Sequence, residues 1–217
     1  MADDSNESNR KDITKWLSNL LIRDVMGAPG DTTKYWSREV TLANKSYYPG
    51  EPTTIRPDFM EFSPLNQTAG GIDRGMFTVY EIKSCIQDFK SKCGHNMIGD
   101  KNYYVMTYDL YEQLNDEDPH NKFLRLNKHG VKAGVYVACS SDSIIEEEEY
   151  DKLKVYLPAY CLRNPKTGKR DETKLQLIIR AESNRNRLYS NSELLFSMLR
   201  SSQKDKIFYD KEYWYNL

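Results

Sequence analysis

The order strand, helix, strand in the middle of the chain limits its fold more than any other feature. Tyr103 to Thr107 is a compact apolar run, and Asp109 to Leu114 has the spacing of a short helix. Val131 to Ser140 then carries Val131, Ala133, Val135 and Val137 at a period of two. Two strands joined through a helix are expected to lie parallel, because a parallel pair needs a long connection and a helix supplies it. An α/β protein with a mixed central sheet follows. The chain has 217 residues, enough for one domain with a full core and short for two.

Upstream, Ile13, Trp16, Leu17, Leu20, Leu21 and Val25 recur at three, four and seven residues, which predicts an amphipathic helix ending at Gly27-Ala-Pro-Gly30. Tyr35 to Leu42, Thr53 to Phe62 and Met76 to Cys85 are rich in β-branched or aromatic residues between turn formers and predict three strands. The Gly-rich stretch from Ser63 to Gly75 reads as a long hairpin loop. Residues 85 to 93 have helical spacing and stop at Gly94. Asn191 to Ser202 predicts a last helix, capped by Ser192 or Asn191, with Leu194, Leu195, Met198 and Leu199 as its buried stripe. Residues 1 to 11 show no periodicity and are expected to be a disordered acidic tail. The core is expected over 12 to 140, with 141 to 217 a basic extension packed on the same domain.

Composition removes several function classes. Of 26 aromatic residues, 16 are Tyr, far too many for a disordered chain. No apolar run nears the roughly 18 residues that cross a bilayer, and the polar, acidic N-terminus is unlike a secretory signal. Cys85, Cys93, Cys139 and Cys161 are scattered without a C-x-x-C pair, so a disulfide scaffold is not expected, and Cys85, Cys93 and His95 lack zinc-ligand spacing. A cytoplasmic protein without membrane contact is the expectation. The net charge of −1 argues against a general nucleic-acid coat, yet the average hides a segregation. Residues 108 to 151 hold 11 acidic and 4 basic side chains, a balance of −7, and 152 to 206 hold 13 basic and 5 acidic, a balance of +8. A polyanion would be met by one face only. The run Glu146 to Glu149 is given no function.

Chemistry concentrates in Arg56-Pro57-Asp58-Phe59 and in Val79-Tyr80-Glu81-Ile82-Lys83. Side chains alternate along a strand, so Glu81 and Lys83 share one face while Tyr80 and Ile82 share the other. If the strand carrying Asp58 pairs antiparallel with this one, two carboxylates and an ammonium converge. Carboxylate oxygens suit Mg²⁺ or Mn²⁺, and a Lys beside such an ion can orient a water or stabilise charge on a phosphate. The alternative is an ordinary ion pair on a strand beside an unrelated turn Asp.

Helix, three meandering strands, helix and strand, with Pro57-Asp58, a gap of 22 residues and then Glu81-Ile82-Lys83, resembles the PD-(D/E)XK, or restriction-endonuclease-like, nuclease superfamily. Within it, the run Glu81-Ile-Lys-Ser-Cys-Ile-Gln-Asp-Phe89 is similar to the MmcB-like DNA repair proteins and their phage-encoded relatives. The similarity spans residues 13 to 140. It implies an αβββαβ core flanked by helices, metal ligation by Asp58 and Glu81 with the Ile82 carbonyl as third ligand, and Lys83 as the catalytic ammonium. Ser84 matches the family Ser but points to the opposite face by parity. Glu39 aligns with an acidic residue of the first strand and would be a further metal or water ligand, or else a plain surface Glu.

Three further sets of residues remain. The polar segment from Gly94 to Tyr103 is expected to border the site, with His95 and Lys101 reaching a phosphate and Asp100 fixing a neighbour; simple turn chemistry is the alternative. The turn from Arg163 to Arg170 carries four cations, of which Lys166, Lys169 and Arg170 are candidates for DNA backbone contact, unless the turn is merely solvated. Arg185 and Arg187 lie two apart in the same basic region. The sequence thus predicts an Mg²⁺- or Mn²⁺-dependent deoxyribonuclease of phage or bacterial DNA metabolism. The rival is a catalytically silent nucleic-acid-binding module on the same fold, or an effector that blocks a host protein.

Overall fold

A computed structural model describes residues 2–26, 35–45, 52–91, 94–118, 124, 132–139, 162–163, 170–171 and 173–202. Among them, α1 (Ala2–Leu21) runs into a π-helical turn (Ile22–Met26), followed by β1 (Tyr35–Arg38), β2 (Leu42–Ala43), β3 (Thr54–Ile55) and β4 (Phe59–Ser63). Then come α2 (Ala69–Asp73), β5 (Met76–Lys83), α3 (Ile86–Lys90), β6 (Lys101–Thr107), α4 (Tyr108–Glu117) and β7 (Gly134–Cys139). The C-terminal part supplies β8 (Leu162–Arg163), β9 (Arg170–Asp171), β10 (Lys174–Ile179) and α5 (Asn191–Ser202).

Six strands form one mixed sheet in the order β1-β4-β5-β6-β7-β10. β1, β4 and β5 are an antiparallel meander, β5, β6 and β7 are mutually parallel, and β10 closes the edge antiparallel to β7. The protein is therefore α/β, and the parallel crossover from β6 through α4 to β7 is as the sequence predicts. No helix among the described residues is long and apolar enough to cross a membrane.

Strand parity sorts the core into two layers. Ile13, Leu17, Leu20 and Leu21 of α1 bury themselves against Phe59, Tyr80, Ile82, Tyr103 and Val105 on one face of the sheet. On the other face, Tyr104 and Met106 pack with Phe89 of α3 and Leu110 and Leu114 of α4. Further along the same face, Met60, Phe62, Phe77 and Val79 pack with Leu194 and Met198 of α5. α1 is fastened at the far edge by its π-helical turn, where Asp24 accepts the Leu175 N–H of β10 at 2.9 Å and Arg23 donates to the Thr173 carbonyl at 2.9 Å. These two contacts take up one N–H of the edge strand and the carbonyl just before it.

Several expectations are corrected. Residues 2 to 11 are not a disordered tail: they form the first half of α1, which begins at Ala2. The loop from Ser63 to Gly75 contains α2, whose N-cap Thr68 accepts the Gly71 N–H at 3.2 Å. α5 is capped by Ser190, one residue earlier than read. Its Oγ accepts the Glu193 N–H at 3.3 Å while Glu193 accepts the Ser190 N–H at 2.8 Å, a reciprocal capping box. Leu199 does not join the buried stripe and stays 64% exposed, because the helix rests on β1 through Leu194, Ser197, Met198 and Ser201. Residues 173–202 complete the central sheet and its cover rather than merely adhering to a finished core.

Candidate active site

Two predicted strands break where the site forms. The first is interrupted at Glu39, which has a left-handed backbone at φ 48°. This costs a residue with a Cβ on the order of 1 kcal/mol. The second is interrupted at Pro57 and Asp58, between β3 and β4. The two kinks support each other: Glu39 N–H donates to the Asp58 carbonyl at 2.8 Å and Val40 N–H to the Pro57 carbonyl at 3.2 Å.

Beside them β5 continues straight to Lys83, so its last residues outrun β4. The register pairs Phe59 with Tyr80, which places Pro57 opposite Ile82. Proline has no N–H to offer a neighbouring strand. Its carbonyl is taken by Val40, so the Ile82 amide finds no ladder partner there. The Asp58 carboxylate takes over, accepting the Ile82 N–H at 2.7 Å. N–H and C=O of one strand residue leave on the same edge, so the Ile82 carbonyl is presented toward Asp58 as well.

Glu81 and Lys83 project from β5 onto the face covered by α3 and are 1% and 2% exposed. Glu81 accepts the Asn96 N–H at 3.2 Å, and Lys83 Nζ lies 3.5 Å from the Asp88 carbonyl of α3. Asp88 in turn accepts the Ser84 N–H at 3.2 Å, which fixes the first turn of α3 to the end of β5. Gly94, at φ 67°, closes over both side chains: a Cβ there would stand 2.7 Å from Lys83 Nζ and 3.2 Å from Glu81 Oε2. Only glycine permits both that backbone and that approach.

Electrostatics mark the cluster as unbalanced. Burial, then the nearby Asp58 charge, pushes the Glu81 carboxyl up to about 8, against the opposing pull of Lys83 and Asn96. Asp58 is also raised, chiefly by burial, despite the Ile82 hydrogen bond and Lys83, with Glu39 and Asp88 adding repulsion. Two buried carboxylates that resist ionisation together are a site to which a cation would bind favourably.

The donor set fits a hard divalent ion. Asp58, Glu81 and the Ile82 carbonyl offer oxygen alone, and among the described residues no group of three or more His, Cys, Asp or Glu side chains gathers to cage an ion. A pair of carboxylates with the remaining positions left to water is the habit of Mg²⁺ rather than of zinc. Glu39 is not drawn in with Asp58 and Glu81. Its carboxylate lies on the surface, 57% exposed, and pairs with Arg56 at 3.1 Å.

The other predicted residues fare unevenly. His95 does not await a phosphate, since both ring nitrogens are engaged: Nδ1 with the Tyr104 hydroxyl at 2.6 Å, Nε2 with the Phe89 and Ser91 carbonyls at 2.9 and 3.0 Å. Burial and the Lys83 charge lower its pKa, so the imidazole is neutral, donating from Nε2 and accepting at Nδ1. Lys101 pairs with Thr78, five residues before Lys83 along a parallel neighbour, which puts it about 17 Å away at the opposite end of the sheet. The segment from Gly94 to Asn102 borders the site only at its start. Asp100 does fix neighbours, accepting the Phe77 N–H at 2.7 Å and pairing with Arg187 at 3.3 Å, which removes Arg187 from the free basic set. Lys166 and Lys169 lie outside the described residues; Arg170 is described only as backbone of β9. Cys93 and the run from Glu146 to Glu149 also lie outside them.

Sequence reasoning missed Tyr104 and Asn96. Tyr104 sits in an apolar strand and read as core. Asn96 contributes through its backbone, which leaves no side-chain signature.

No family model matches the sequence. No curated protein matches it. Among solved structures, a protein of unknown function from Silicibacter pomeroyi is similar at a TM-score of 0.45 and 12% identity, over 89% of this chain and 92% of that one. Likeness at that level carries no argument about the activity of this chain.

Proposed function

We propose that the chain is a metal-dependent nuclease of the PD-(D/E)XK type that hydrolyses DNA phosphodiester bonds, acting in phage or bacterial DNA repair or metabolism. The observation that supports it is the capture of the Ile82 amide by Asp58 where Pro57 breaks the ladder, beside Glu81 and Lys83 on the same strand. Asp58, Glu81 and the Ile82 carbonyl would hold Mg²⁺ or Mn²⁺. When bound, such an ion polarises the phosphodiester and lowers the pKa of a water.

The remaining work belongs to side chains. The Ile82 N–H orients the Asp58 carboxylate, and the strand fixes Glu81 beside it. Lys83 brings positive charge to where the phosphate oxygens gain negative charge as water adds to phosphorus. The bond from phosphorus to the 3′ oxygen breaks, that oxygen takes up a proton, and a 5′-phosphate end remains.

Duplex, single-stranded and branched DNA, and RNA, should be tested with Mg²⁺ and with Mn²⁺. Asp58→Ala and Lys83→Ala are each expected to lower cleavage about 10³-fold or more while the protein stays folded. One observation favours the rival: Lys83 is nearly sealed beneath Gly94. A protein that binds DNA, cleaves nothing in either metal and is indifferent to both substitutions would be the silent module instead.

A further inference from the structure

The segment that covers Lys83 is held from behind. Gly94 packs on Lys83 Nζ and Glu81 Oε2, and Asn96 gives its N–H to Glu81 Oε1, so residues 94 to 96 lie directly on the site. Between them His95 points the other way. Its ring stands edge-on to Phe89 and Tyr104, with centroids 5.6 and 5.7 Å away, and Phe89 and Tyr104 meet each other at 5.1 Å. Lys83 and Asp88 are the charged groups that act on it. Three hydrogen bonds then tie the ring to the Tyr104 hydroxyl on β6 and to the Phe89 and Ser91 carbonyls at the end of α3.

These contacts do different work. The carbonyls at a helix end lack intrahelical donors, so the imidazole N–H satisfies groups that would otherwise need water. Tyr104, 1% exposed, would bury its hydroxyl at a cost without an acceptor, and Nδ1 is that acceptor. Each bond explains why His95 stays where it is. None of them explains why Gly94 should rest on Lys83, except that His95 is its neighbour in the chain.

We infer that His95 is a positioning residue: anchored by Tyr104 and by the end of α3, it holds Gly94 and Asn96 against Lys83 and Glu81 and so governs access to the Lys83 ammonium. Calling the governed group part of an active site rests on the nuclease reading; the control of access does not. A phosphate cannot reach Lys83 while Gly94 occupies that position, so substrate entry requires residues 94 to 96 to withdraw. Tyr104 and His95 touch neither metal nor substrate. They set how often the cover opens.

The test is the reactivity of Lys83 toward a small acetylating reagent in the full-length, metal-free protein, read by peptide mass spectrometry as a ratio to exposed Lys90. Tyr104→Phe deletes one hydroxyl and keeps the ring. It is expected to raise that ratio on the order of fivefold to tenfold, the change in an opening equilibrium when one hydrogen bond is lost, with circular dichroism unchanged. Gly94→Ala, whose methyl would stand 2.7 Å from Lys83 Nζ, disturbs the cover itself and is expected to raise it too, and His95→Gln decides the matter if Tyr104→Phe does not fold. A ratio within about twofold of wild type in the folded variant overturns the inference, because a net hydrogen-bond contribution of ordinary size would have exceeded it. Labelling needs no catalysis. Absence of cleavage in wild type would therefore defeat the nuclease reading alone, whereas cleavage with an unchanged ratio would defeat the positioning role alone.

Discussion

The two ends of β5 each bury polar groups, and they do so in opposite ways. At the N-terminal end, Asp100 accepts the Phe77 N–H and pairs with Arg187, whose guanidinium also lies 5.0 Å over the Phe77 ring. Asn102 gives and receives a hydrogen bond with Gly99, and Asn184 donates to the Gly99 carbonyl at 3.2 Å. Arg187 is further tied to Asn191, whose amide donates to the Asp73 carbonyl at the end of α2 at 2.8 Å. One carboxylate faces one guanidinium there, and the network joins α2, the strand ends and the loop before α5. At the C-terminal end two carboxylates face one ammonium inside the protein, and both carboxyls are pushed upward. A balanced buried network stabilises; an unbalanced one is costly, and carboxyls perturbed in this way cluster at functional sites.

Removing a carboxylate should therefore have opposite signs at the two ends. Asp100→Ala strands Arg187 and the Phe77 amide and is expected to destabilise the protein by about 2–3 kcal/mol, measured by urea unfolding. Glu81→Gln removes a charge that the interior resists and is expected to stabilise by about 1–3 kcal/mol at pH 8. If both substitutions destabilise equally, the distinction between the two ends fails.

The pH dependence sharpens the same contrast. Glu81 titrates near 8 in the folded protein against its ordinary 4.5. Between those values the native state holds a proton that the unfolded chain has lost, so the contribution of Glu81 falls as pH rises from 4.5 to 8. Below 4.5 both states are protonated and the difference disappears. The gain from Glu81→Gln should shrink toward zero as the pH is lowered from 8 to 4.5, seen in unfolding midpoints taken at several pH values. Under the nuclease proposal, Mn²⁺ binding at pH 7 should release about one proton, detected by calorimetry in two buffers of different ionisation enthalpy.

The smallest effect is expected from Lys101→Ala. At about 17 Å from Lys83 it should leave Mn²⁺ affinity and any cleavage unchanged and shift stability by no more than about 0.5 kcal/mol. A loss of cleavage would mean that substrate reaches from one end of β5 to the other.

The sequence by itself determined the α/β class, the meander, the crossover and the shared face of Glu81 and Lys83, because each follows from periodicity over a few residues. Pro57-Asp58 and Glu81-Ile82-Lys83 were equally legible as a pair of motifs. Tertiary structure alone decided what surrounds them. His95 and Lys101 belong to one polar segment, yet one is locked behind the cover of Lys83 and the other lies at the far end of the sheet, since a loop returning antiparallel to a strand spreads its residues along the whole strand. Glu39 sits beside Asp58 but turns to Arg56, a choice made by a left-handed backbone that no side-chain pattern encodes. Residues 2 to 11 lack an apolar stripe and still extend α1, because once the buried half of a helix is packed each added turn needs only propagation. Periodicity reports which face of an element is buried; which elements meet at one point depends on contacts between residues far apart in the chain, and those are fixed only when the whole sheet closes.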